Sequence, residues 1–186
     1  PLMPRTCGHS FLHISEFSAF IEREQKLPEV IIPEATKIVE RIGQYAAMLI
    51  DDGATLQLGI GKIPDAVTRY LYQHKNLGIH SEMISDGVVD LIQRGIVNNR
   101  YKTFHPGKTV VSFCFGTQKL YDFVNMNPHV EFYPSAYVNK PTNIAKNNNM
   151  VAINSALEVD LSGQVVADSI GYRFYSGIGG QVDFVT

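Results

Sequence analysis

Three stretches of this chain combine glycines and polar side chains in ways that chemistry could use. The first is Gly59-Ile60-Gly61-Lys62-Ile63-Pro64, placed just ahead of a segment that reads as a helix. Glycines let a ligand approach the backbone, and the free amides at a helix start can receive an anion or an oxyanion. A tight strand-to-helix turn with no ligand would use the same residues. The stretch is not a phosphate loop, since it lacks the Gly-Lys-Ser/Thr ending. Pro64 stands where a dinucleotide fingerprint has its third glycine.

The second stretch is His80-Ser81-Glu82-Met83-Ile84-Ser85-Asp86-Gly87. Glu82 follows a short apolar run and has three readings. A dinucleotide-binding unit places an acidic residue about 20 positions beyond its glycines to hold a ribose. A carboxylate here could instead be a nucleophile that forms a covalent acyl intermediate, with turn amides opposite as its oxyanion hole. Or it is an exposed glutamate at a strand end. Spacing leaves all three open. His80 could share a side with Glu82 and reads as structural.

The third group comprises Asn154, Glu158-Val159-Asp160 and Ser176-Gly177-Ile178-Gly179-Gly180-Gln181. The glycines supply bare amides and room for a ligand, or simply a turn. Asn154, inside a strand-like run, is either a satisfied polar residue or a ligand contact. Glu158 and Asp160 alternate with apolar neighbours and read as a solvated strand face. The six histidines are scattered without a His-x-x-x-His spacing, so no metal site is expected.

The elements that must position these residues follow from the hydrophobic pattern. Residues 54–59, 77–81, 109–115 and 130–133 read as strands, and helices are expected from about Pro64, over 88–93 and over 117–125. An earlier helix is expected to begin at Pro33, with Ile38, Val39, Ile42, Ala46, Leu49 and Ile50 as its apolar stripe. Later, residues 151–154, 156–159 and 164–167 look strand-like. Alternating strands and helices predict an α/β fold: an open, mostly parallel sheet with helices on both faces and an antiparallel extension. Ligands in such folds bind beyond the carboxyl ends of the strands, where the first two stretches fall.

The chain has 186 residues, 45% hydrophobic and 18% charged, with a formal net charge of −2. That composition excludes wholesale disorder, and no run approaches the roughly 18 apolar residues of a membrane helix. Sixteen basic against eighteen acidic residues argue against a nucleic-acid partner. Cys7 and Cys114 make no disulfide framework; each suits a buried place in a reducing, cytoplasmic setting. Residues 1–32, punctuated by Pro4 and Pro28, read as the tail of a preceding unit and a linker, and 33–186 as one domain. The chain opens on Pro1 and stops at Phe184-Val185-Thr186, within what reads as a strand. The expectation is therefore a piece of a larger protein, cut short at its far end.

Taken together, certain stretches resemble a known family. Gln57-Leu58-Gly59-Ile60-Gly61-Lys62-Ile63-Pro64-Asp65-Ala66-Val67 and Gly78-Ile79-His80-Ser81-Glu82-Met83-Ile84-Ser85-Asp86-Gly87-Val88 look like segments of the acetyl-CoA hydrolase/transferase family. So does Gly177-Ile178-Gly179-Gly180-Gln181-Val182-Asp183-Phe184. The likeness is strongest to the 4-hydroxybutyrate and butyryl-CoA:acetate CoA-transferases. Leu120-Tyr121-Asp122-Phe123-Val124 and Ile153-Asn154-Ser155-Ala156-Leu157-Glu158-Val159-Asp160 agree with it.

The resemblance implies a class I CoA-transferase domain whose catalytic glutamate falls on Glu82, with Glu158 a weaker candidate. The family's CoA-contacting loop falls on Gly59, Ile60, Gly61, Lys62 and Ile63, and its other CoA contacts on Asn154 and Gly177. It implies no metal and no permanently bound cofactor; coenzyme A and acyl-CoA are substrates, exchanged with small carboxylic acids such as acetate, butyrate or 4-hydroxybutyrate. It further implies a missing amino-terminal domain, a homodimer, and an acyl-CoA hydrolase as the alternative within the same family. A nucleotide-binding oxidoreductase domain is the alternative outside it.

Overall fold

The computed structural model describes residues 3–30, 33–177 and 179–186. Strand β2 (Thr55–Leu58) is buried along its whole length, as a central parallel strand covered on both faces must be. It pairs in parallel with β3 (Gly78–Ile79) on one side and β8 (Met150–Ile153) on the other. A second parallel group sets β5 (Thr109–Val111) against β7 (Val130–Phe132), which is edged by β1 (Cys7–Gly8). A parallel bridge between His80 and Val110 joins the two groups, giving the order β8-β2-β3-β5-β7-β1. The open, mostly parallel sheet expected from the sequence is thus present. The amino-terminal stretch, read from the sequence as the tail of a preceding unit and a linker, supplies one of its edge strands.

At the β3–β5 junction, side chains do the work of a ladder. The Ile79 N–H donates to Asn99 Oδ1 (2.8 Å), and Asn99 Nδ2 donates to Thr109 Oγ1 (3.0 Å). Lys102, 3% exposed, donates from Nζ to the carbonyls of Ile79 and Lys108, each at 2.7 Å. Its stem passes over Gly78, where a Cβ would lie 2.5 Å from Lys102 Cγ. Burial pushes the Lys102 amine down to about 7. A neutral amine has two N–H groups, enough for both carbonyls. Because the unfolded chain keeps its lysine protonated to about pH 10.4, it binds more protons than the folded chain between those values. Stability should therefore rise from about pH 7 to about pH 10. Urea midpoints measured across this window should flatten in Lys102→Met.

Helix α1 (Lys37–Ala47) begins later than Pro33 because Thr36 caps it, its Oγ1 accepting from the Val39 N–H. Its buried face also departs from the expected stripe. Gly43 and Ala47 face inward, while Ile38 is 71% and Leu49 83% exposed. The reason is close packing on α2 (Lys62–Arg69): a Cβ on Gly43 would come within 2.9 Å of Ala66. Small residues let the two helices approach, and that contact outranks the broader apolar stripe. Ile50, just beyond α1, does join the core.

Helix α3 (Asp86–Gln93) covers the helix expected over 88–93 and closes at Gly95 (φ 75°). Its first residue, Asp86, accepts from the Thr117 amide (2.9 Å) and hydroxyl (2.6 Å) at the start of α4 (Gln118–Val124). Leu56, Leu71, Leu77, Ile79, Ile84, Leu91 and Leu120 form the fully buried centre between sheet and helices. Beyond the sheet's carboxyl edge, β4 (Met83–Ile84) and β6 (Phe113–Cys114) pair in parallel as continuations of β3 and β5.

The single-turn helices α5 (Ser135–Val138) and α6 (Pro141–Ile144) follow β7 and gave no signal in the sequence. Exposed antiparallel pairs, β9 (Glu158–Val159) with β10 (Val165–Val166) and β11 (Ser169–Ile170) with β12 (Arg173–Phe174), form the expected extension. Phe184-Val185 belongs not to a strand but to helix α7 (Gln181–Val185), which buries Phe184 against Val110, Val138 and Ile144. A short apolar run does not distinguish strand from helix by periodicity; here the packing of Phe184 decided.

Candidate active site

Strand register brings the candidate residues together. Leu58 lies opposite Ile153 and Leu56 opposite Ile79. One and three residues further on, Gly59, Asn154 and Glu82 stand at the same level of three neighbouring strands. The Gly59 N–H still donates to the Ile153 carbonyl (2.8 Å). On the β3 side, the Ser81 hydroxyl closes the ladder, bonding both the N–H and the carbonyl of Leu58 at 3.2 Å. Glu82 lies in the break between β3 and β4, where its carbonyl accepts from the Ser112 and Phe113 amides at 2.9 and 3.0 Å. Its backbone is pinned while its half-buried side chain lines a cleft of about 430 Å³.

Gly59, Ile60, Glu82, Asn154 and Gly177 all line this cleft, and among the described lining residues Glu82 is the one carboxylate. The other three candidates lie elsewhere. Gly61 and Lys62 line an adjoining, mainly apolar pocket of about 200 Å³ that shares Gly59 and Ile60 with the cleft. Ile63 lines neither. Gly61 caps α2 at φ 127°, a conformation that favours glycine and turns the loop sharply into the helix. Ile178 of the glycine-rich motif is outside the described residues.

Asn154 is held in a reciprocal amide pair. Gln57 Nε2 donates to Asn154 Oδ1 (3.0 Å), and Asn154 Nδ2 donates to Gln57 Oε1 (2.8 Å). A Cβ on Gly59 would come within 2.8 Å of Asn154 Oδ1, so the loop glycine rests directly on this pair. Gln57 opens one of the family-like segments but is not among the site residues expected from the sequence. Its signal was an amide side chain between two leucines of a buried strand, which demands a buried partner.

Two further residues define the surroundings of the carboxylate. Gly180, three positions after Gly177, packs so closely that any side chain there would strike Glu82 Oε2 and the Asn139 amide. Asn139, just after α5, thus sits with Glu82 over the same glycine, and its Oδ1 is buried without a partner among the described residues. The glycine-rich turn was visible in the sequence, whereas Asn139 stood out from no motif. His80 does not share the cleft with Glu82; its ring turns to the Val138 carbonyl. Glu158 and Asp160 are exposed, as expected of a solvated face.

Among the described residues, no cluster of three or more His, Cys, Asp or Glu side chains could hold a metal ion. No helix among them is long and apolar enough to cross a membrane. A carboxylate lining a cleft beside a glycine-rich turn is suited to attack on an acyl carbonyl, whose developing oxyanion a free backbone amide can receive.

The chain is similar to proteins of known type. The sequence profile of the acetyl-CoA hydrolase/transferase C-terminal domain matches residues 116–186. The chain is 57% identical over 183 residues to the 4-hydroxybutyrate coenzyme A transferase of Clostridium kluyveri, covering 98% of this chain and 43% of that protein. It is 51% identical over 185 residues to the succinyl-CoA:cyclohexane-1-carboxylate CoA transferase of Geobacter metallireducens, covering 100% of this chain and 42% of that one. The crystal structure of 4-hydroxybutyrate CoA-transferase from Porphyromonas gingivalis superimposes with a TM-score of 0.84 at 52% identity, covering 88% of this chain and 42% of that chain. The chain therefore spans less than half the length of these relatives. Within that span, glycine loop, strand-end glutamate and closing glycine turn occur in one fold, and the chain belongs to the acetyl-CoA hydrolase/transferase family.

Proposed function

We propose that this chain is the second domain of a class I CoA-transferase, with residues 33–186 as its body and β1 of the preceding segment as an edge strand of its sheet. The reaction moves coenzyme A between an acyl-CoA and a small carboxylic acid. One observation carries the reading: the Glu82 carboxylate at a strand end, packed over Gly180 and opening onto the cleft lined by Gly59, Ile60 and Gly177. Likeness to 4-hydroxybutyrate CoA-transferases supports acetyl-CoA with 4-hydroxybutyrate or butyrate as the substrate pair.

In this reading, a Glu82 oxygen attacks the thioester carbonyl of the acyl-CoA. The C–S bond breaks, giving an acyl-glutamyl anhydride and CoA thiolate. The thiolate then attacks the glutamyl carbonyl, expelling the first carboxylate and leaving a glutamyl-CoA thioester. A second carboxylate reverses both steps and leaves as the new acyl-CoA, and Glu82 is restored. Charges balance throughout without redox change. The reading assigns the oxyanion of each tetrahedral intermediate to the backbone amides around Ile60 and Gly177; losing one such donor typically costs about 2.7–4 kcal/mol in activation free energy. Binding of the pantetheine and nucleotide parts of CoA supplies remote energy for bringing the reacting atoms together. The enzyme is proposed to act as a cytoplasmic homodimer.

The test is mass spectrometry of the full-length protein after incubation with acyl-CoA and no acceptor. A CoA thioester on the peptide containing Glu82 is expected, discharged on adding acetate. An adduct on another peptide, or none, rejects the assignment. CoA release that proceeds undiminished without any carboxylate acceptor identifies a hydrolase instead.

A further inference from the structure

His80, two residues before Glu82, is fully buried and does not line the cleft. Its Nε2 lies 2.8 Å from the carbonyl oxygen of Val138, an acceptor only, so Nε2 carries the proton and donates. Nδ1 is then an unprotonated acceptor, buried with no partner among the described residues. Burial pushes the ring down to about 4, so it is neutral near pH 7. A neutral ring committed to a backbone carbonyl and shut away from the cleft cannot act as a general base. Some other role must offset the cost of its bare Nδ1.

The carbonyl that His80 holds ends α5. A helix of one turn has no stability of its own, and its last carbonyls lack partners within the helix. Here two successive carbonyls find side-chain donors: Asn143 Nδ2 to Tyr137 (2.9 Å) and His80 Nε2 to Val138. The next residue is Asn139, whose N–H closes the turn onto the Ser135 carbonyl (2.8 Å) and whose amide lies over Gly180 beside the Glu82 carboxylate. On its other side, His80 meets the Phe184 ring at 6.2 Å, on the helix that starts directly after Gly180. One buried ring thus meets both the turn that carries Asn139 and the helix that follows Gly180.

We propose that His80 is a positioning residue: by holding the Val138 carbonyl, it fixes the turn that sets the Asn139 amide against the Glu82 carboxylate. The proposal rests on the reading of Glu82 as nucleophile. It assigns His80 no contact with substrate and no proton transfer. Its effect should appear in the rate of the covalent step rather than in binding.

The test compares His80→Gln with His80→Asn in the full-length protein. Both bury a neutral amide, but only glutamine reaches as far as Nε2. His80→Asn is expected to slow CoA-adduct formation and lower kcat by about 10- to 100-fold, the scale of a misplaced catalytic group, with KM for the acyl-CoA within about threefold. His80→Gln should recover most of that loss. Combined with Asn139→Ala, His80→Asn should add little, since both remove the same arrangement. Equal rates in the Gln and Asn variants, or losses that multiply with Asn139→Ala, overturn the proposal. Hydrogen exchange at Val138 and Asn139 provides a readout independent of chemistry, faster in the Asn variant than in the Gln variant. If the unmutated enzyme forms no adduct, the nucleophile reading fails by itself. Equal exchange in the two variants then overturns the positioning role as well.

Discussion

Glu82→Gln should reduce kcat by a factor on the order of 10³ to 10⁶ and abolish the CoA adduct, the range seen when a nucleophile is removed from an otherwise intact site. Glutamine keeps the size and shape of the side chain, and the interactions fixing this residue are made by its backbone carbonyl with Ser112 and Phe113. The fold should therefore survive. Chemistry should not, because a neutral amide oxygen cannot form the anhydride. Glu82→Asp is the sharper companion. It keeps the charge but draws the carboxylate back by one methylene, and a shift on the order of 1 Å can cost about 10²-fold. Steady-state turnover together with intact-protein mass measures both. A glutamate that merely held a ribose would give the opposite result, with turnover surviving the amide.

Gly180→Ala is expected to lower kcat by about 10²-fold at little cost in folding. The backbone is no obstacle, since φ at Gly180 is −66°, where alanine is at ease. The obstacle is space. The new methyl would fall on Glu82 Oε2 and on the Asn139 amide, so both must move. Both are ends of side chains, one bordering an open cleft, so they can yield without displacing the core. Overpacking of this kind typically costs 1–3 kcal/mol, and the lower end is expected here. The signature is thus a large fall in kcat with a small change in thermal midpoint. Undiminished turnover would mean that the carboxylate does not act from its observed position.

Much of this arrangement was legible in the sequence. Alternating buried runs and amphipathic segments gave the parallel sheet, and the strand-end rule pointed to the glycine loop, Glu82 and Asn154. Where the reading departed from the structure, a local cause is identifiable. The apolar stripe of α1 was misjudged because Gly43 and Ala66 allow a close helix contact that composition does not report. The strand expected at Phe184 is a helix because one side chain found a place against Val110 and Val138. Asn139 lies in no motif and says nothing until its neighbours are known, whereas Gln57 within a buried strand asks for a partner without naming it.

The sequence by itself determined the class of fold, the family, and which carboxylate stood at a strand end. These depend on periodicity and on short runs of adjacent residues, which a chain displays along its length. Only the tertiary structure decided what surrounds that carboxylate. Glu82 and Gly180 are separated by nearly a hundred residues, with Asn139 between them. They meet because parallel strand register brings Glu82 level with Gly59, while the turns after α5 and before α7 bring Asn139 and Gly180 up to its carboxylate. Side-chain chemistry can be read one residue at a time, but distances between remote residues come only from packing.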